Sequence, residues 1–131
     1  MKIGSYGYTS GTTRQIDSNW TIYYNPLCSK CRETLDLLRM NLIDPEIIEY
    51  LESPLKKDEL ERVLLLLKLE AKDLVRAQEA VFATLKIDLN NQNEILAAIE
   101  QHPQLLVRPI VVHGTKAIIA RPPERALELK D

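Results

Sequence analysis

The stretch WTIYYNPLCSKC, residues 20–31, contains the only two cysteines of the chain, Cys28 and Cys31. It opens with aromatic and β-branched residues, which favour a β-strand, and an Asn-Pro pair interrupts that pattern shortly before Cys28. Apolar residues then recur at helical spacing as far as Leu38. The stretch therefore predicts a strand, a turn and a helix, with Cys28 at the beginning of the helix.

Cys28 is predicted to be a reactive thiol. At a helix N-terminus, unpaired backbone N–H groups and the positive end of the helix dipole favour an anion. Lys30 and Arg32 add positive charge close by. Such surroundings can lower a cysteine pKa from about 8.5 to roughly 3.5–7.5, and the thiolate is the nucleophilic form.

Two other interpretations of the cysteine pair are weaker. Isolated cysteines are often inert residues of the core, but a pair at CxxC spacing at the start of a helix is not the usual core pattern. A structural zinc site normally needs four ligands, and the only further candidates, His102 and His113, are separated by ten residues. No metal site is therefore predicted.

Composition limits the function classes. With 131 residues, 45% of them hydrophobic, the chain suits one compact domain. A net charge of −2 gives no overall field for nucleic acid or an anionic membrane. No membrane-spanning run and no signal peptide are visible, so a cytoplasmic protein is expected. A CxxC pair there is more often redox-active than structural.

The beginning of the chain has a different composition. Residues 1–19 hold three of the four glycines among Ser, Thr and Tyr, and they show little periodicity. They are interpreted as a flexible leader, and residues 20–131 as the folded domain.

Further elements follow from periodicity along the domain. Residues 46–51 predict a second strand, and a helix opening at Ser53-Pro54 would bury Leu60, Val63, Leu64 and Leu67. Further helices are predicted over residues 72–85 and 93–101, with Ile95, Leu96 and Ile99 facing inward. Residues 107–112 and 116–119 predict an antiparallel hairpin, and a short helix begins near residue 123.

The predicted order is β-α-β, an inserted helical section, and then β-β-α. This α/β arrangement is that of a thioredoxin-like fold, in which the redox cysteines at the start of the first helix face the proline that opens the third strand. Pro109 occupies that place in the sequence, so a cis Arg108-Pro109 bond is the specific expectation.

Three arginines are candidates for an anion pocket around Cys28. Arg108 and Arg121 each precede a proline, which restricts the arginine backbone to extended geometry, and Arg76 lies in the inserted helical section. Guanidinium groups bind tetrahedral oxyanions through paired hydrogen bonds and stay charged at any working pH. Singly, each arginine is more simply a solvated surface residue, and only the combination with Cys28 indicates a site.

Four segments together resemble one known family, the glutaredoxin-coupled arsenate reductases. The segments are YYNPLC (residues 23–28), YLESP (50–54), VRPIVV (107–112) and ARPPE (120–124). The resemblance extends from about Thr21 to the C-terminus, which is nearly all of the predicted domain.

The resemblance implies a function and its residues. Cys28 would attack arsenate, and Arg76, Arg108 and Arg121 would hold the oxyanion, with Asn25 also contributing to substrate binding. Cys31 would be the redox partner of Cys28. No bound cofactor is implied; glutathione with glutaredoxin, or thioredoxin, would supply electrons from outside.

The chain departs from the family pattern at two positions. Tyr24 stands where members commonly have histidine, and Cys31 adds a second thiol, which favours an intramolecular disulfide over a mixed disulfide with glutathione. Two alternative functions remain open: a general disulfide reductase, and an Spx-type redox-sensing transcription regulator that binds RNA polymerase. The second Arg-Pro phrase, Arg121-Pro122-Pro123, is not expected in that regulator and favours the enzyme.

Overall fold

The computed structural model describes residues 17–131. The leader predicted for residues 1–19 therefore lies almost entirely outside the described residues, and its character stays a prediction. Residues 17–19 belong to the first strand.

Four strands, four α-helices and three 3₁₀ segments make up this part of the chain. The strands are β1 (Asp17–Tyr24), β2 (Pro45–Glu49), β3 (Ile110–His113) and β4 (Lys116–Ile119). The α-helices are α1 (Ser29–Met40), α2 (Lys57–Leu67), α3 (Ala80–Leu85) and α4 (Gln92–Gln101). The 3₁₀ segments are Ala71–Leu74, Pro103–Leu105 and Pro123–Leu129.

The strands form one mixed sheet in the order β2-β1-β3-β4. β1 and β2 are parallel, as expected for strands joined through a helix, while β3 runs antiparallel to both β1 and β4. β1 and β2 therefore end at the same edge of the sheet, and the loop with the cysteines follows β1 directly. The thioredoxin-like order predicted from the sequence is confirmed.

Apolar side chains of neighbouring strand positions pack on opposite faces of the sheet, as strand geometry requires. Tyr23 joins a cluster with α2 and α4, whereas Ile22 joins a cluster with α1 and the C-terminal 3₁₀ segment. The residues predicted to face inward from α2 and α4 are all buried. Among the described residues, no helix combines the length and the apolar character needed to cross a membrane.

Several predicted elements were wrong in detail. The second strand ends at Glu49, because the N–H groups of Glu52 and Ser53 turn back to Glu49 O, and α2 begins only at Lys57. The C-terminal helix is a 3₁₀ segment. The helix expected over residues 72–85 is split, because the Arg76 N–H donates to Leu105 O at 2.7 Å and the Val107 N–H donates to Leu74 O at 2.8 Å. These bonds belong to a short antiparallel bridge, Val75 with Leu106. For the same reason the predicted strand over residues 107–112 begins only at Ile110.

Candidate active site

Cys28 occupies the N-cap position of α1, where the sequence predicted a helix start. The turn before it is closed by the Cys28 N–H, which donates to Asn25 O at 3.0 Å, and the Arg32 N–H donates to Cys28 O at 3.1 Å as the helix begins. The Cys28 side chain is 7% exposed. The thiol therefore lies at the positive end of the helix and is nearly enclosed.

The surroundings of Cys28 favour its thiolate. Burial alone raises the pKa of the Cys28 thiol, but hydrogen bonding from the Arg108 guanidinium, from the N–H and thiol of Cys31 and from the Lys30 N–H outweighs it. The resulting pKa of Cys28 is about 7, below the usual 8.5 or so for a free cysteine. The nucleophilic thiolate is therefore more accessible at neutral pH than in a free cysteine.

Cys31 lies one helical turn further on and behaves differently. Its side chain is 0% exposed, and this burial is the main reason why the pKa of the Cys31 thiol rises to about 12. The negative charge of Cys28 raises this pKa further, whereas a backbone hydrogen bond from Asn25 and the positive charge of Arg108 lower it. Cys31 is thus a protonated neighbour while Cys28 is ionised.

Arg108 reaches Cys28 from the loop before β3. Partial burial lowers the pKa of Arg108, but the hydrogen bond to Cys28 and the charges of Tyr50 and both cysteines outweigh that effect and raise it. Its Nε is fully enclosed and has no hydrogen-bond partner among residues 17–131. A buried donor of this kind normally has a partner, so the Arg108 guanidinium keeps a hydrogen-bonding capacity that the described residues do not use.

Arg121 is tied to Arg108 through the backbone. The Arg121 Nε donates to Arg108 O at 2.6 Å, and the Ala120 N–H donates to Pro109 O at 2.9 Å. The two Arg-Pro phrases are therefore adjacent in space. Both arginine–proline bonds are cis, the expected one at Pro109 and a second one at Pro122 that the sequence did not indicate.

Arg76 is the third predicted arginine, and much of its charge is already compensated. Its Nη1 donates to the Glu79 carboxylate at 2.6 Å, and both side chains are partly buried. The bridge between Val75 and Leu106 brings this segment alongside the one that leads to Arg108. Arg76 thus lies on the same side of the molecule as Arg108, but its guanidinium is already paired with a carboxylate.

Asn25 and Arg32 shape the loop before Cys28. The Asn25 Oδ1 accepts a hydrogen bond from the Leu27 N–H at 3.0 Å, and the Arg32 Nη1 donates to Pro26 O at 2.7 Å. The Asn25 oxygen is therefore used inside the turn. A role of Asn25 in binding substrate stays a prediction.

Tyr24 takes the position at which the resembled family commonly has histidine. Burial raises the pKa of the Tyr24 hydroxyl, and the charge of Cys31 raises it further, partly against Arg32. Tyr24 is thus coupled to Cys31 and packs with the cluster around α1.

Of the two histidines considered as metal ligands, His113 lies at the end of β3 and is already engaged. Its ring stacks on Trp20 with centroids 4.0 Å apart, and its Nδ1 lies 2.6 Å from Leu129 O.

Tyr50 is a site residue that the sequence reasoning missed. It is 1% exposed and comes directly after β2. Burial is the main reason why the pKa of its hydroxyl rises to about 12. The positive charges of Arg108 and Arg76 lower this pKa, and the charges of both cysteines raise it. One signal was available, because a polar side chain at the carboxyl end of a parallel strand lies where such sheets bind ligands.

The arrangement unites a thiol whose pKa is lowered to about 7, a second thiol one helical turn away and a guanidinium with an unused buried donor. Such a group can attack an electrophilic centre while the charge of a bound oxyanion is stabilised. A disulfide between the two cysteines is then a possible product.

Comparison with known proteins gives consistent results. The sequence matches the ArsC family over residues 23–129. An uncharacterised protein of Escherichia coli, YfgD, is 41% identical over 82% of this chain and 93% of its own length. An arsenate reductase of Haemophilus influenzae is 40% identical over 82% of this chain and 96% of its own length.

A solved structure agrees in fold as well as in sequence. The arsenate reductase from Vibrio cholerae is 38% identical and superposes with a TM-score of 0.81, covering 87% of this chain and all of its own.

Proposed function

Because the chain belongs to the ArsC family, we propose that it is a thiol-dependent arsenate reductase with Cys28 as the nucleophile. The observation that carries the proposal is the pairing of Cys28, whose pKa is about 7, with the Arg108 guanidinium and its unpartnered buried Nε. This pairing provides both the attacking group and a binding site for an oxyanion.

The first step forms a bond between Cys28 Sγ and arsenic. The thiolate attacks arsenic, the bond from arsenic to one arsenate hydroxyl breaks, and that hydroxyl takes up a proton from solvent and leaves as water. Arg108 and Arg121 stabilise the negative charge of the remaining oxygens through charge-assisted hydrogen bonds. Arg76 contributes less, because it is already paired with Glu79 at 2.6 Å.

The second step is the reduction. A second thiolate attacks Cys28 Sγ, a sulfur–sulfur bond forms, and the electron pair of the breaking sulfur–arsenic bond goes to arsenic, which leaves as arsenite. Two thiols are oxidised and As(V) is reduced to As(III). We assign this attack to Cys31, which already interacts with Cys28.

An external dithiol must then restore the two cysteines. Glutaredoxin with glutathione, or thioredoxin, can reduce a Cys28–Cys31 disulfide by thiol–disulfide exchange. A cytoplasmic location suits this cycle, since a reducing compartment keeps both cysteines free. No bound cofactor takes part. This proposal is preferred to the general disulfide reductase because it uses the arginines. It is preferred to the regulator because the Haemophilus influenzae and Vibrio cholerae relatives carry the name of the enzyme.

An arsenate turnover assay tests the proposal. Purified protein, arsenate and either glutathione with glutaredoxin or a thioredoxin system should release arsenite, and Cys28→Ser should abolish the release. The matched variant Cys31→Ser should lose turnover with thioredoxin and keep some with glutathione. Wild-type protein that releases no arsenite with either reductant contradicts the proposed function.

A further inference from the structure

Tyr50 is a buried hydroxyl at the candidate site that the steps above do not use. The last residue of β2, Glu49, pairs with Tyr24 at the end of β1, so Tyr50 comes alongside the first residue of the loop that carries Cys28. Carboxyl ends of parallel strands are the usual place for ligands in open α/β sheets. The fold therefore positions Tyr50 at the edge of the sheet where Cys28 reacts.

The ring and the hydroxyl of Tyr50 have different surroundings. The ring belongs to the apolar cluster that includes Leu74 and Leu106, which lie two residues before Arg76 and Arg108 respectively. The hydroxyl interacts electrostatically with Arg108, Arg76 and both cysteines, and Tyr50 in turn acts on Arg108. A phenol that is 1% exposed thus has its polar end among the charged groups of the site.

We propose that the Tyr50 hydroxyl donates a hydrogen bond to the oxyanion bound between Cys28 and Arg108. The inference rests on the proposed function and adds an uncharged donor to that site. Such a donor helps to orient a tetrahedral anion without adding another buried charge.

The protonation state of Tyr50 agrees with this role. Its pKa is raised to about 12, whereas Cys28 ionises near 7, so the hydroxyl keeps its proton over the whole range in which the thiolate works. It can donate a hydrogen bond there, and it cannot act as a base.

The oxyanion, rather than the resting thiolate, is the acceptor. The hydrogen bonds that lower the pKa of Cys28 come from Arg108, Cys31 and Lys30. Removal of the Tyr50 hydroxyl should therefore weaken anion binding and leave the ionisation of Cys28 in place, a combination that loss of packing alone would not produce.

The variant Tyr50→Phe tests this inference, with Tyr23→Phe as the matched control. Both tyrosines are buried, but the Tyr23 hydroxyl donates to Glu59 Oε2 at 2.8 Å, outside the site. We expect Tyr50→Phe to reduce kcat/KM for arsenate by about tenfold to a hundredfold, the effect of a lost hydrogen bond to a charged group. Arsenate affinity of the Cys28→Ser protein, measured by calorimetry, should fall by a similar factor when Tyr50→Phe is added.

Two controls separate this role from a structural one. The pH midpoint of Cys28 alkylation should be the same in Tyr50→Phe and wild type, and the urea midpoint of Tyr50→Phe should be no lower than that of Tyr23→Phe. Tyr23→Phe should keep the wild-type kcat/KM.

Three outcomes overturn the inference. Undiminished kcat/KM and arsenate affinity in Tyr50→Phe overturn it alone, and so does a raised alkylation midpoint that accounts for the whole rate loss. A wild-type protein that neither binds nor reduces arsenate overturns this inference together with the proposed function.

Discussion

Cys28 and Cys31 lie only one helical turn apart, yet their pKa values shift in opposite directions, to about 7 and about 12. Part of the Cys31 shift comes from the negative charge on Cys28. That charge disappears once Cys28 Sγ has formed a bond to arsenic, because a substituted sulfur is no longer a thiolate. Cys31 therefore becomes easier to ionise at the stage of the reaction that needs a second nucleophile.

The pH dependence of Cys28 alkylation is a direct test of its ionisation. In the Cys31→Ser variant, which keeps a hydrogen-bond donor at position 31, reactivity with iodoacetamide should rise with pH and reach half its maximum near 7, since only the thiolate reacts. A midpoint at or above the usual value of about 8.5 contradicts the assignment of Cys28 as the activated thiol.

Replacement of Arg108 or Arg121 by Ala should slow arsenate reduction by about 10²–10³, by analogy with the removal of an oxyanion-hole donor. Arg108→Ala should also raise the alkylation midpoint of Cys28, because the hydrogen bond of Arg108 lowers that pKa. Arg121→Ala should leave the midpoint unchanged. Dividing each steady-state rate by the thiolate fraction, taken from the alkylation titration of the same variant, separates the two effects for Arg108.

Two kinds of variant serve as controls for Arg108 and Arg121. One replaces either residue by lysine, and the other replaces an exposed arginine elsewhere. Arg108→Lys and Arg121→Lys should recover part of the rate, because the charge returns without the planar guanidinium. Arg125→Ala should keep the wild-type rate, since Arg125 is half exposed and pairs with Glu128 at 3.7 Å in the C-terminal segment. Equal turnover in wild type, Arg108→Ala and Arg121→Ala shows that these arginines do not bind the oxyanion.

At the scale of the element, the beginning of α1 determines whether the two cysteines can join. Cys28 is the N-cap and Cys31 lies in the first turn, a spacing that brings two sulfurs within disulfide range. Mild oxidation should remove two hydrogens from the protein by mass spectrometry, and a reductant should restore them. Cys31→Ser is the control, and two free thiols that survive in the oxidised wild type rule out Cys31 as the resolving residue.

The elements that the sequence predicted correctly are those with a strong local pattern. The face of α2 formed by Leu60, Val63, Leu64 and Leu67 has helical spacing, and all four side chains are buried. By contrast, the break after Leu74 depends on pairing with residues 105–107, which are distant in sequence and carry no local signal. Apolar periodicity alone therefore predicted one helix where the structure has two separate elements.

The same distinction between local patterns and contacts of distant residues applies to the site. Cys28 and its helix could be predicted from a contiguous motif, whereas the nearness of Arg108 to Cys28 could be inferred only through a resemblance to a family. Tyr50 reaches the site because two parallel strands end together. Its place directly after a strand was the one local signal, and the sequence pattern does not show whether its side chain is buried. The bond between Glu79 and Arg76 was also missed, although a spacing of three residues permits it.

At the scale of the whole molecule, the reacting groups are supported from both faces of the sheet. The cluster with Leu38 and Trp20 holds α1, and with it Cys28, on one face. The cluster with Tyr50 and Leu106 holds the segments that lead to Arg76 and Arg108 on the other. The net charge of the protein is only −2. Attraction of an anion therefore depends on the groups that these two clusters bring together, and not on the overall electrostatic field.

Loss of packing under α1 should therefore lower stability without changing the chemistry of Cys28. Leu38 is 0% exposed in the α1 cluster, so Leu38→Ala should reduce the free energy of unfolding by about 2–5 kcal/mol, through lost burial and a residual cavity. Leu65→Ala is the control, because Leu65 on α2 is 77% exposed and should change stability by less than about 0.5 kcal/mol.

Urea unfolding followed by circular dichroism measures both variants, and iodoacetamide titration of the folded protein follows Cys28. The alkylation midpoint should stay near 7 in Leu38→Ala, since the donors to Cys28 are backbone groups of α1, the Cys31 thiol and the Arg108 guanidinium. The groups on α1 remain in place as long as the helix is folded, and Arg108 follows Leu106 of the other cluster, which Leu38 does not join. Should the midpoint rise towards 8.5 while the helix content is unchanged, the position of α1 against the sheet, and not only its N-terminus, sets the reactivity of Cys28.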